Sequence, residues 1–131
     1  MTARQDTYEL MTSLGRHGLS VSFEDANTLR RAQITLHRWA ELECGDGDDY
    51  KAWSIERDEQ TGKPFIAIYP HQGNSYRYAI PDREAGALRR VAEVCARIGA
   101  YYYHQADPRG RALYVSSKPI IGNDYTRGLA I

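Results

Sequence analysis

A helix followed at once by a two-stranded hairpin is the strongest structural pattern in this sequence, and it occupies residues 81–116. Asp82 is placed to cap the start of the helix, and Gly99 is placed to end it in the left-handed conformation. Four apolar residues recur at steps of three and four, so they share one helical face. These four residues are Leu88, Val91, Cys95 and Ile98. This pattern predicts a helix that packs on a sheet.

The hairpin that follows has strands over residues 101–105 and 111–116. The connection between them has aspartate first, proline second and glycine fourth, which is typical of a type I turn. Alternation places Tyr101 and Tyr103 on one face of the first strand and Tyr102 and His104 on the other. The pattern does not decide which of these faces is buried.

The residues before this stretch predict one long helix and three strands. Ser22 caps a helix over residues 22–44, and Asp25 completes a capping-box pattern. Strands over residues 50–57, 63–69 and 75–80 are joined by short turns, which favours an antiparallel meander. The helix core is expected to comprise Leu29, Ala32, Leu36 and then Trp39 or Ala40.

These elements predict a single α+β domain over residues 1–131. Its antiparallel sheet combines the three-stranded meander with the C-terminal hairpin and packs against two main helices, in the order α-(α)-β-β-β-α-β-β. Residues 1–21 are expected to be weakly ordered or a short helix, and residues 117–131 an irregular tail.

The charge balance is neutral, with 17 basic and 17 acidic residues. Neutrality argues against a protein that coats nucleic acid or a membrane through bulk positive charge, although it permits a local basic patch. The chain shows no apolar leader and no run of membrane-spanning length, so a reducing cytoplasm is expected. A disulfide between Cys44 and Cys95 is therefore not expected.

The hairpin also holds the densest mixture of aromatic and basic residues. Such a mixture is typical of binding hot spots and of base-stacking platforms, whereas the alternative is that half of the tyrosines belong to the core. A reactive cluster of His104 with Asp107 and Arg109 is a further alternative, and it would need a surrounding cleft. The candidate partner-binding residues are Tyr101, Tyr102, Tyr103, His104, Arg109 and Arg111.

Two charged segments are further candidates. The turn with Asp46, Asp48 and Asp49 lacks the glycine and glutamate that a calcium-binding EF-hand loop requires. It is read as a solvated connector or as an anionic surface for a basic partner. A basic strip on the long helix is either a solvated face paired with Glu41 and Glu43 or a contact for nucleic acid. This strip comprises Arg30, Arg31, His37 and Arg38.

Catalytic and cofactor motifs are not found. The sequence has no glycine-rich phosphate loop, no paired-cysteine or histidine motif with metal-ligand spacing, and no nucleophile elbow. No metal and no cofactor are therefore expected, and the balance leans against an enzyme.

Four segments of the chain carry a resemblance to known proteins. They are LHRWAELECG (36–45), IERDE with GKP (55–64), IPDREAGALRR (80–90) and YYHQ with DPRG (102–110). The segments resemble a family of small phage and prophage accessory proteins from proteobacteria, and the resemblance covers roughly residues 29–128. It transfers no functional residue, but it implies a gene context in which small proteins often inhibit host defence or host enzymes by stoichiometric binding.

The expected function is therefore that of a non-enzymatic binding protein. The resemblance implies that it inhibits a host defence complex in the manner of an anti-CRISPR protein. Its expected partner is a host protein or ribonucleoprotein complex in the cytoplasm of the host cell. The alternative is a nucleic-acid-binding module that uses the basic strip.

Overall fold

The computed structural model describes residues 3–44, 50–106 and 113–117. Within these ranges the order of helices and strands is the one predicted, and it confirms the α+β class. The helices are α1 (Ala3–Arg16), α2 (Phe23–Cys44) and α3 (Asp82–Ile98). The strands are β1 (Tyr50–Arg57), β2 (Pro64–Pro70), β3 (Tyr76–Ala79), β4 (Tyr101–Ala106) and β5 (Leu113–Ser116).

The five strands form one antiparallel sheet in the order β3-β2-β1-β4-β5. The meander and the hairpin form one sheet, as predicted, and they are joined where β4 pairs with β1. Strand β2 is an interior strand between β3 and β1, and β1 occupies the middle of the sheet.

The core lies between the helices and one face of the sheet. Trp53 pairs with Ile68, and Ile55 pairs with Ile66, and all four side chains are fully buried. Full burial of each aliphatic side chain stabilises the fold by about 1.5–3 kcal/mol. The apolar faces predicted for α2 and α3 are buried against this layer, which confirms both assignments. They include Leu29, Ala32, Leu36, Trp39, Ala40, Leu88, Val91 and Cys95, with Ile98 partly buried.

Helix α1 is longer than the N-terminal segment predicted from the sequence. Thr7 and Leu14 are buried and Leu10 is partly buried, so the face of α1 that packs against the rest of the protein is narrow. One of these three residues, Thr7, is only weakly apolar. This weakly apolar face explains why the sequence pattern predicted at most a short helix here. Its docking is completed by an ion pair of 3.3 Å between Asp6 and Arg30 of α2.

The predicted start of α2 is confirmed, whereas that of α3 is corrected. The backbone N–H of Asp25 donates to Ser22 Oγ at 3.1 Å. At α3 the cap position belongs to Pro81, which makes no side-chain capping hydrogen bond. Asp82 is the first helical residue, because extended backbone at Pro81 precedes it. Its carboxylate still lies where the helix dipole favours negative charge.

Gly99 ends α3 in the left-handed conformation, with φ 73° and ψ 34°. A Cβ at this position would meet no atom within 4 Å, so an alanine here acts through the backbone conformation alone. We expect Gly99→Ala to lower the free energy of unfolding by about 1–2 kcal/mol, and Gly99→Asn by less, because asparagine tolerates this conformation better. Urea denaturation measures both.

A matched substitution within the same helix should have the opposite sign. Gly86→Ala places its methyl group in ordinary contact, with the nearest neighbour at 3.5 Å, and should stabilise the helix by about 0.5–1 kcal/mol. Equal effects of alanine at Gly99 and Gly86 would contradict the left-handed cap.

Within the described residues, no helix combines the length and the apolar character that a membrane crossing requires.

Candidate functional site

The two described tyrosine side chains of β4 have opposite environments. Tyr102 is 6% exposed and belongs to the core, whereas Tyr101 is 45% exposed. This answers the question that alternation left open, and it removes Tyr102 from the candidate contact residues because it has almost no surface to offer. The backbones of Tyr103 and His104 pair with Tyr114 and Leu113 of β5, and their side chains lie outside the described part of the structure.

Several candidate residues lie outside the described ranges altogether. These residues include the predicted type I turn and the proposed reactive partners of His104. They are Asp46, Asp48, Asp49, Asp107, Arg109 and Arg111.

The basic strip of α2 is divided by its contacts. Arg30 donates to Gln33 Oε1 at 3.1 Å and pairs with Asp6, so it fastens α1 to α2. His37 Nε2 lies 2.9 Å from Glu41 Oε1, and its ring centroid lies 6.4 Å from that of Trp53. These two residues therefore have intramolecular roles.

The other half of the strip, Arg31 and Arg38, is exposed. Neither residue forms an ion pair with any part of the chain that the structure describes. These two arginines are therefore the members of the strip that remain open to a ligand.

Strand β3 is a surface that the sequence pattern did not single out. All four of its residues are exposed, and Tyr76 and Tyr78 each expose 42% of their surface. Their ring centroids are 5.6 Å apart in an edge-to-face arrangement. The sequence predicted the strand itself, but exposure follows from its place at the sheet edge, which local alternation does not encode.

The other side of β3 carries a cation. The Arg77 guanidinium lies 4.8 Å from the centre of the Phe65 ring, which is within cation–π range, and it pairs with Asp58 at 3.6 Å. Asp58 Oδ1 also accepts the backbone N–H groups of Thr61 and Gln60, at 2.9 Å each. These two hydrogen bonds, with a smaller contribution from Arg77, lower the pKa of Asp58. The β1–β2 turn thus fixes the position of Arg77.

A polar cluster joins β1 and β2 on the sheet. Ser54 Oγ donates to Glu56 Oε2 at 2.7 Å, and the Tyr69 hydroxyl donates to the same oxygen at 3.1 Å. A serine bonded to a carboxylate resembles part of a nucleophilic site, but Ser54 is fully buried. Because the Ser54 hydroxyl is buried, a substrate cannot reach it in this structure. The hydrogen bonds of the cluster instead link strands β1 and β2.

Two observations concern metal binding and thiol chemistry among the described residues. No group of three or more histidine, cysteine, aspartate or glutamate residues among them could hold a metal ion. Cys95 is a free and buried thiol, and burial raises its pKa to about 12, which keeps it protonated and weakly nucleophilic.

The described surfaces thus offer two kinds of contact: an aromatic sheet edge at β3 and exposed arginines on the helices.

No protein-family model, curated protein or solved structure matches this chain.

Proposed function

We propose that this protein is a non-enzymatic binding protein that associates stoichiometrically with a host protein complex. The resemblance to phage and prophage accessory proteins suggests the setting, which is inhibition of a host defence complex in the cytoplasm of the infected cell. The observation that carries the proposal is the exposed edge strand β3, with Tyr76 and Tyr78 on one side and Arg77 on the other.

The composition of this edge favours protein recognition. Tyrosine offers a large rigid apolar body with a polar tip, and tyrosine and arginine are enriched among interface hot spots. The register pairs Tyr76 with Ile68 and Tyr78 with Ile66, so the aromatic pair extends the apolar face of the sheet to its margin. A partner can therefore bury these rings against an already rigid surface.

The backbone of β3 adds a second element of recognition. Within the described residues, β3 has one neighbouring strand, β2, and its other edge faces no strand. An extended segment can add to such an edge through main-chain hydrogen bonds, while alternate side chains provide specificity. The complementary segment would place apolar residues opposite Tyr76 and Tyr78 and an acidic residue opposite Arg77.

The double variant Tyr76→Ala/Tyr78→Ala tests the proposal. The wild-type protein is expected to capture a defined complex from host lysate, identified by mass spectrometry, and to bind it at a fixed ratio in calorimetry. Because hot-spot tyrosines each contribute about 2 kcal/mol or more, the variant should bind at least about 100-fold more weakly.

Tyr8→Ala is the matched control, because Tyr8 is similarly exposed but lies on α1. It should retain wild-type affinity, and circular dichroism should show both variants folded. Unchanged affinity of the β3 variant would contradict the assignment of this surface.

Nucleic-acid binding is the second candidate function. The observation in its favour is that Arg31 and Arg38 are exposed without an ion pair in the described structure. Binding of this kind should weaken steeply with salt, as counterion release requires. No binding to DNA or RNA at low salt would end this proposal.

A further inference from the structure

Two arginines of α3 converge on one point of the helix surface. Gly86 has no side chain, and the space that its Cβ would occupy lies 3.5 Å from Arg90 Nη1 and 3.7 Å from Arg89 Nη2. Both side chains therefore lean back over the preceding helical turn, in the direction that helical side chains favour. Two like charges share the surface above a single glycine.

Within the described residues, neither guanidinium group forms an ion pair. Arg89 and Arg90 are exposed, and neither lies within 4.0 Å of a carboxylate oxygen anywhere in the described ranges. By contrast, Arg97 of the same helix is held by Asp25 of α2 at 2.6 Å. The protein thus uses one arginine of α3 to fasten two helices and leaves an adjacent pair open to solvent.

From this geometry we propose that the Arg89–Arg90 pair, with Arg83 about two turns before it, binds the phosphodiester backbone of a nucleic acid. Each guanidinium presents five N–H donors in a planar fork that matches phosphate oxygens. A nucleic-acid strand supplies closely spaced phosphates, so neighbouring phosphates can satisfy both forks together. The inference does not depend on the protein partner proposed for β3, because it concerns another surface.

This contact is expected to position the protein on the nucleic acid without recognising a particular base sequence. Guanidinium groups that meet phosphates fix the register of a protein on nucleic acid without reading its bases. Glu93 lies one turn further along the same exposed face, and its carboxylate opposes the approach of a polyanion. The surface is therefore expected to bind weakly and with a marked dependence on salt.

Fluorescence anisotropy with labelled nucleic acids tests the proposal. The probes are duplex DNA, duplex RNA and single strands of about 20 nucleotides, titrated between about 50 and 200 mM salt. We expect Arg89→Gln/Arg90→Gln to weaken binding about tenfold or more. We also expect it to reduce the slope of log K against log salt by about 2 on a duplex, because two phosphate contacts are lost.

Two further variants separate this site from a diffuse charge effect. Arg4→Gln/Arg16→Gln removes the same charge from the exposed surface of α1 and should weaken binding less than the α3 variant. Glu93→Gln should strengthen binding severalfold. Equal losses from the two arginine pairs would overturn the α3 site, as would a wild-type protein that binds no nucleic acid at low salt.

Polyglutamate is the competing polyanion in the same assay. Stronger binding to polyglutamate than to every nucleic-acid probe would overturn the proposal in favour of an acidic protein ligand. The Tyr76→Ala/Tyr78→Ala variant should bind nucleic acid as the wild type does, so failure of the β3 proposal and failure of this one are distinguishable.

Discussion

Replacing Trp53 with alanine is expected to lower the free energy of unfolding by about 3–5 kcal/mol. Trp53 lies on the central strand, is fully buried, and is paired with Ile68 on one side and Ala106 on the other. Its removal leaves a large cavity between the sheet and the helices. Because small domains have about 5–15 kcal/mol of stability in total, this single change removes a large share of it. Urea denaturation measures the loss, provided that the dependence of the free energy of unfolding on urea concentration is the same in both proteins.

Trp53→Phe is the matched control. The indole Nε1 is buried, and it has no hydrogen-bond partner in the described structure. An unsatisfied buried donor costs about 1–3 kcal/mol, so phenylalanine relieves that cost while it retains most of the ring contacts. We expect the phenylalanine variant to be clearly more stable than the alanine variant. Equal destabilisation by both would contradict the core position of the ring.

The thiol of Cys95 is expected to react much more slowly in the folded protein than in the unfolded chain at pH 8, because burial keeps it protonated. Burial raises its pKa from 9.0 to about 12, and only the thiolate is an effective nucleophile. Iodoacetamide labelling in a Cys44→Ser background measures the rate at this one thiol, with and without urea. Native labelling at the unfolded rate, in protein shown to be folded, would contradict the buried position.

The same shift predicts a pH dependence of stability. Above pH 9 the thiol ionises in the unfolded chain, whereas in the folded protein it stays protonated until the pH nears 12. The stability that it contributes is therefore fully present below pH 9 and is lost as the pH rises towards 12. Wild-type protein should lose more stability than Cys95→Ala between pH 9 and pH 11. Parallel pH profiles would exclude this contribution.

Local patterns were sufficient to predict most of the fold. Apolar spacing identified the inner faces of α2 and α3, and cap chemistry identified Ser22 and Gly99, because these signals lie within a few residues of each other. The start of α3 was wrong by one position, since Asp82 can serve as a cap or as a first-turn carboxylate and the backbone of Pro81 decides between them. Helix α1 was underestimated because Thr7 occupies a core position.

The candidate surfaces were harder to predict, because they depend on contacts between segments that lie far apart in the sequence. Arg30 looked like a solvated residue until α1 placed Asp6 beside it. Tyr76 and Tyr78 looked like ordinary strand residues, and their exposure follows from the strand order. The convergence of Arg89 and Arg90 depends on side-chain direction above Gly86, which spacing alone does not reveal.

The position of β1 in the sheet has a consequence for synthesis on the ribosome. One neighbour of β1 is β2, which follows it directly, whereas the other is β4, which lies beyond α3. The emerging chain can therefore complete its meander while the second edge of its central strand has no partner. Unpaired strand edges are templates for association between chains. Until residue 106 has left the ribosome, this second edge of β1 is therefore open to association with other chains.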